Sequence, residues 1–150
     1  MRNVVVVDAS IAIKWVLEEP DSDRADTLLA EWINKGKLIL APDLLVYEIT
    51  NALYRKVRKG EITLERAKEA LTEISLTEIE FDFSSDFALS TRALELANYF
   101  SLPATYDSHY LALAEREGCE LWTADLRMWN SVKGKLDWLR LLGDYPTPSR

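Results

Sequence analysis

Apolar runs punctuated by carboxylates and glycines divide this chain into alternating strands and helices. Val4-Val5-Val6-Val7 is an unbroken β-branched run, the pattern of a strand buried on both faces of a parallel sheet, and it stops on Asp8. Ser10 to about Leu17 follows with Ile11, Trp15 and Val16 turned inward at helical spacing, until Glu18-Glu19-Pro20-Asp21 breaks it. Asp21 or Ser22 can cap a second helix that reaches Asn34-Lys35 and closes at Gly36. Lys37 to Leu40 reads as a short strand. Pro42-Asp43 then opens a long helix ending at Gly60, with Asp43 as its N-cap, and Thr63 caps another through Ala67, Ala70, Leu71 and Ile74. Thr77 to Asp82 alternates polar with apolar and reads as a half-exposed edge strand.

Beyond it, Ser84-Ser85-Asp86 leads into a helix carrying Phe87, Leu94, Leu96 and Ala97 to about Phe100. After a connector broken by Pro103, Asp107 opens a helix of Tyr110, Leu111, Leu113 and Ala114 that Gly118 closes. Cys119 to Thr123 is the next strand, followed by Asp125, a short helix around Leu126 to Val132 and a last strand near Leu136 to Leu141. Asp144 to Arg150, with two prolines, reads as a loose tail. Strands alternating with helices imply right-handed crossovers and a parallel sheet covered on both faces. The reading is therefore one domain over residues 1–143 and a tail over 144–150.

Composition narrows the function. At 150 residues, 48% of them hydrophobic, the chain can bury a real core. It shows no signal-peptide pattern and no span long enough for a bilayer, which makes the cytoplasm the expected location and excludes a membrane role. Cys119 is the single cysteine, so no disulfide framework or Cys-based metal site can form, and beside Leu121 and Trp122 it reads as a small buried hydrophobe. The formal charge of -7 argues against indiscriminate nucleic-acid binding, unless several acids are gathered around a cation. Nucleotide-cofactor folds are disfavoured because neither G-x-G-x-x-G nor G-x-x-x-x-G-K-[ST] occurs.

Four acids resist a bland reading. Asp8 and Asp125 each close an apolar strand, at the sheet edge where open α/β folds bind ligands. Either could simply cap the following helix, but two such acids in one sheet point to a site. In the long helix Leu45, Ile49, Ala52 and Leu53 form the buried stripe, with Glu48, Asn51 and Arg55 as a polar seam along its rim. Asp107 opens a helix whose apolar side faces inward, so it can point the same way. Carboxylates a few ångströms apart repel unless one takes up a proton or a cation joins them. All-oxygen ligation points to Mg²⁺ or Mn²⁺ in preference to zinc, and the chemistry implied is metal-assisted phosphodiester hydrolysis.

At these positions the sequence resembles the PIN-domain ribonucleases, in particular the VapC toxins of toxin–antitoxin modules. The matching segments are Val5 to Ser10, Pro42 to Leu53, Tyr106 to Ala114 and Leu121 to Asp125, in order from residue 4 to about 133. The resemblance implies a three-layer α/β/α sandwich with a central parallel sheet of strand order 3-2-1-4-5. It implies that Asp8, Glu48, Asp107 and Asp125 are the catalytic quartet binding Mg²⁺ or Mn²⁺, with Ser10 and Thr123 as hydroxyls holding the carboxylates and Asn51 as a polar neighbour of Glu48. It also implies a homodimer, an RNA substrate and inhibition by a small antitoxin protein that plugs the acidic groove.

Arg55 shares a face with Glu48 and is a candidate RNA contact, as are Lys14 and Arg127, which lie soon after strand-end acids. His109, the single histidine, reads as an exposed surface residue, with a proton shuttle or an RNA contact at the groove's edge as its functional alternative. The five tryptophans read as core or dimer-interface residues. The leading function is thus a metal-dependent endoribonuclease acting as the toxin of a type II toxin–antitoxin pair. Two alternatives stand beside it. One is a catalytically silent binding module. The other is a phosphatase or phosphotransfer domain with Asp8 as nucleophile, disfavoured because Ser10 stands where a second acid is wanted.

Overall fold

The computed structural model describes residues 3–83 and 87–146. Its sheet has five parallel strands: β1 (Val4–Val7), β2 (Leu38–Pro42), β3 (Ile79–Asp82), β4 (Glu120–Thr123) and β5 (Leu139–Leu141), in the order β3-β2-β1-β4-β5. The helices are α1 (Ala9–Val16), α2 (Ser22–Asn34), α3 (Leu44–Arg58), α4 (Leu64–Ser75), α5 (Phe87–Tyr99), α6 (Tyr106–Glu117) and α7 (Leu126–Val132). This is the α/β/α sandwich and strand order expected from the family resemblance.

The valine run owes its lack of alternation to two-sided burial. Val4 and Val6 enter a larger core with Leu45, Ile49, Leu53, Tyr110 and Leu111, drawn from α3 and α6. Val5 and Val7 face a smaller one with Ile11, Leu28, Trp32 and Trp122. Burying both faces of a four-residue strand stabilises it by about 1.5–3 kcal/mol per side chain. Val6 is in register with Leu40 of β2 and Leu121 of β4, and Val7 with Trp122. That register makes β1 and β4 neighbours, so Asp8 and Asp125 leave the sheet at the same end.

Several local expectations are corrected. Asp21 does not cap α2: it lies at φ 67° and its side chain makes no cap bond. Ser22 instead stitches the turn, accepting from the Glu19 N–H at 2.9 Å and donating to the Leu17 carbonyl at 3.0 Å. Asp43 is in a helical conformation without a cap bond, since β2 continues to Pro42 to pair with Asp82 and leaves no extended residue before α3. The expected lead-in Ser84-Ser85-Asp86 lies outside the described residues.

Of the segment read as a tail, Asp144 and Tyr145 are packed against the domain. A 3₁₀ turn at Leu142–Asp144 buries Leu142, and the Tyr145 ring packs edge-on to Trp122 with centroids 5.8 Å apart. The Tyr145 hydroxyl donates to Glu31. Trp15, Trp32 and Trp122 continue this edge-to-face cluster. The buried Leu142 side chain and the Tyr145 ring together hold this end of the chain against the smaller core. No helix among the described residues is long and apolar enough to cross a membrane.

Candidate active site

The carboxyl end of β1 delivers Asp8 into a buried position, 4% exposed. One Asp8 oxygen, Oδ1, accepts from the Ser10 hydroxyl at 2.5 Å and from the Ile11 N–H at 3.3 Å, so Asp8 does N-cap α1. The other, Oδ2, accepts from the Thr123 hydroxyl, 115 residues away in sequence. Both hydroxyls are themselves held by backbone: Ala124 N–H donates to Ser10 at 2.8 Å and Asp125 N–H donates to Thr123 at 2.9 Å. The result is a relay in which the backbone after β4 orients two hydroxyls and the hydroxyls orient Asp8. Each link polarises the next, most strongly at the buried Asp8 and Thr123.

Asp125 also does two things. Its Oδ1 accepts from Arg127 N–H at 2.9 Å and Met128 N–H at 3.5 Å, capping α7. Its Oδ2 takes no part in the cap. Asp107 stands in the first turn of α6, half-buried, and Glu48 reaches from α3 to the hydroxyl of Tyr110, which donates to Glu48 Oε1 at 2.6 Å. Tyr110 is a site residue that the sequence reading placed in the core alone. It is fully buried, and its only sequence signal is a hydroxyl on an otherwise apolar helix face, one turn past Asp107.

The electrostatics follow from gathering acids in a poorly solvated place. Burial pushes the Asp8 carboxyl up to about 7; the Ser10 and Thr123 hydroxyls pull it down, and the Asp107 charge adds to the rise. Burial, then the charges of Asp125 and Glu48, push Asp107 up to about 6. Burial and the adjacent Glu48 carboxylate raise the Tyr110 phenol, which keeps it a hydrogen donor. Among the described residues no lysine or arginine forms an ion pair with any of the four acids, although ion pairs are frequent elsewhere on the surface.

The remaining candidates are placed unevenly. Ser10 and Thr123 are hydrogen-bonded to Asp8 as described. Asn51 is exposed, and among the described residues no hydrogen bond joins it to Glu48. Lys14 is turned away, paired with Glu19 at 3.3 Å and donating to the Pro20 carbonyl at 2.8 Å. Arg55 and Arg127 are exposed on α3 and α7. His109 is half-buried, in contrast to its expected exposure, because it joins two helices: Nδ1 lies 2.5 Å from the Thr105 carbonyl and Nε2 3.1 Å from the Ser90 hydroxyl. The half-buried Cys119 thiol is pushed up to about 11, chiefly by burial, and is inert.

Known proteins resemble this chain in sequence and in fold. Ribonuclease VapC3 from Pyrobaculum aerophilum is 27% identical over 129 residues, covering 83% of this chain and 91% of that protein. Among solved structures, PAE2754 from Pyrobaculum aerophilum superposes with a TM-score of 0.65 at 24% identity, covering 91% of each chain. A toxin–antitoxin complex from Klebsiella pneumoniae gives 0.65 at 14% identity, covering 92% of this chain and 97% of its own. VapBC2 from Rickettsia felis, bound to a DNA fragment from their promoter, gives 0.60 at 18%, with 92% and 96% covered. At these identities the structures establish a shared fold. The PIN-domain family itself matches residues 5–135, nearly the whole length over which the sheet and its strand-end acids are built, and the chain belongs to that family.

Proposed function

We propose that this chain is a divalent-metal-dependent endoribonuclease that hydrolyses RNA phosphodiester bonds, and the toxin of a type II toxin–antitoxin pair. The observation that carries the reading is the gathering of Asp8, Glu48, Asp107 and Asp125, two of them with raised pKa values and none ion-paired among the described residues. The relative named Ribonuclease VapC3 supports the activity, and the structural neighbours solved as toxin–antitoxin complexes support the biological setting.

The donor set fits Mg²⁺ or Mn²⁺: four carboxylates, oxygen ligands only, in surroundings that make their own repulsion costly. As the side chains stand, no three His, Cys, Asp or Glu among the described residues converge on one ion. The oxygens of Asp8, Glu48 and Asp125 that accept these hydrogen bonds keep lone pairs, so the acids can close round an ion while their hydroxyl, phenol and cap partners stay in place. Such an ion supplies a Lewis acid for a phosphoryl oxygen and a lowered pKa for water. The chain's own part is orientation. Ser10 and Thr123 fix Asp8, Tyr110 fixes Glu48, and the N-termini of α6 and α7 place Asp107 and Asp125. A small antitoxin occupying this acidic groove would silence it, and a homodimer is the expected assembly.

Purified protein should cleave single-stranded RNA with Mg²⁺ or Mn²⁺, leaving 5′-phosphate and 3′-hydroxyl ends, and stop with chelator. Cleavage that persists undiminished in Asp8→Asn would remove the carboxylate site from the chemistry. Tight antitoxin binding without nuclease activity in any metal would identify a silent binding module instead.

A further inference from the structure

Beside the acidic site lies a cleft of about 440 Å³ that the reading above does not use. It is walled by segments that are distant in sequence: the β2–α3 junction with Asp43 and Tyr47, the start of α5 with Phe87 and Ser90, and the start of α6 with Tyr106 and His109. Three of its aromatic rings are strongly exposed, Tyr47 at 69%, Phe87 at 89% and Tyr106 at 59%. Exposed aromatic rings converging on one concave place mark a binding site. Tyr47 and Tyr106 immediately precede Glu48 and Asp107. Successive helix residues point about 100° apart, so each pair divides between cleft and acidic site, and the two share a wall.

Resting on the ribonuclease reading, we propose that this cleft stacks an unpaired base of the RNA next to the phosphodiester that is cut. Rings with free faces suit bases, because every base has a π-face and stacking needs no particular sequence. The wall is also pre-ordered. Nδ1 of His109 faces the Thr105 carbonyl and Nε2 pairs with the Ser90 hydroxyl, which together hold the imidazole in one orientation. The convergence of three separate segments makes a compact, open spot suited to a single planar group, whereas a partner helix needs a continuous strip. Asp43, exposed at the head of α3 and not engaged in capping it, adds a preference. Its carboxylate accepts from bases with an exocyclic amine and repels the two carbonyls of uracil.

The test uses the full chain and a single-stranded RNA oligonucleotide carrying 2-aminopurine, whose fluorescence falls on stacking. In chelator, wild type should quench it and Tyr47→Ala/Tyr106→Ala should not. In Mn²⁺ the double variant should raise KM about 10- to 100-fold with kcat within about twofold, from the cost of removing stacking partners. Tyr47→Phe/Tyr106→Phe should behave as wild type, and thermal melts check that all variants fold. Asp43→Asn should flatten the preference against uracil. Cleavage by the alanine variants at wild-type KM would overturn the stacking site while leaving the ribonuclease standing. Loss of a dimer by light scattering at unchanged KM would reassign the cleft to a second copy of the chain, and so overturn it. A wild-type protein that neither binds nor cuts single-stranded RNA would bring down both readings.

Discussion

Replacing Asp8 by asparagine should make the metal-free protein more stable above neutral pH, and the gain should vanish in acid. The Asp8 carboxyl titrates at about 7 in the folded protein against 3.8 for an ordinary aspartate. A raised folded pKa means that the group contributes its full stability below about pH 4 and loses it as pH rises through about 7. At about 1.4 kcal/mol per tenfold, the rise corresponds to about 4 kcal/mol of destabilisation once the carboxylate is ionised. Asparagine cannot ionise, but its amide cannot accept from Thr123 as a second carboxylate oxygen does, which costs about 1–2 kcal/mol. The net gain at pH 8 is therefore about 2–3 kcal/mol, or about 5–10 °C in melting temperature for a domain of this size. Urea unfolding of both proteins in chelator, followed by circular dichroism from pH 5 to 8, reads the difference directly. Taking the difference cancels the groups that do not interact with Asp8, and what is left is Asp8 with its coupling to Asp107. A gap that is constant with pH, or wild type the more stable at pH 8, would show that Asp8 is not held against ionisation.

Further outcomes follow from the same site. Mn²⁺ at about 100 times its pH 8 Kd should stabilise wild type by about 2.7 kcal/mol at pH 8, the same concentration should stabilise it less at pH 5, where Asp8 and Asp107 are protonated, and Asp107→Asn should lose most of the gain in a melting assay. Tyr110→Phe removes the donor that holds Glu48, and titration calorimetry should show about 10-fold or greater weakening of Mn²⁺ binding with the fold retained. Thr123→Val, which strands both Asp8 and the Asp125 N–H, should cost about 1–3 kcal/mol in urea unfolding. Leu111→Ala, far from any solvent in the larger core, should cost about 2–5 kcal/mol without changing metal affinity.

The strands, the helices and the four acids were legible in the sequence because each depends on local pattern. An unbroken valine run has to be buried on both faces, and a carboxylate directly after it has to lie at the strand's end. Glu48 could be placed on the rim of an apolar stripe from helical spacing alone. Packing decided how the partners meet, which periodicity could not show and the family resemblance had implied for Thr123. Thr123 donates to Asp8 across 115 positions because β1 and β4 are adjacent in the sheet. Tyr110 reaches Glu48 across 62 positions because α3 and α6 cover one face of that sheet. Lys14, a candidate RNA contact by position, is lost to Glu19, and His109 is drawn into a bridge between α5 and α6. Tyr145 is pinned by Trp122 and Glu31 despite its prolines. Periodicity reports which way a side chain points; only the assembled layers determine what it meets there.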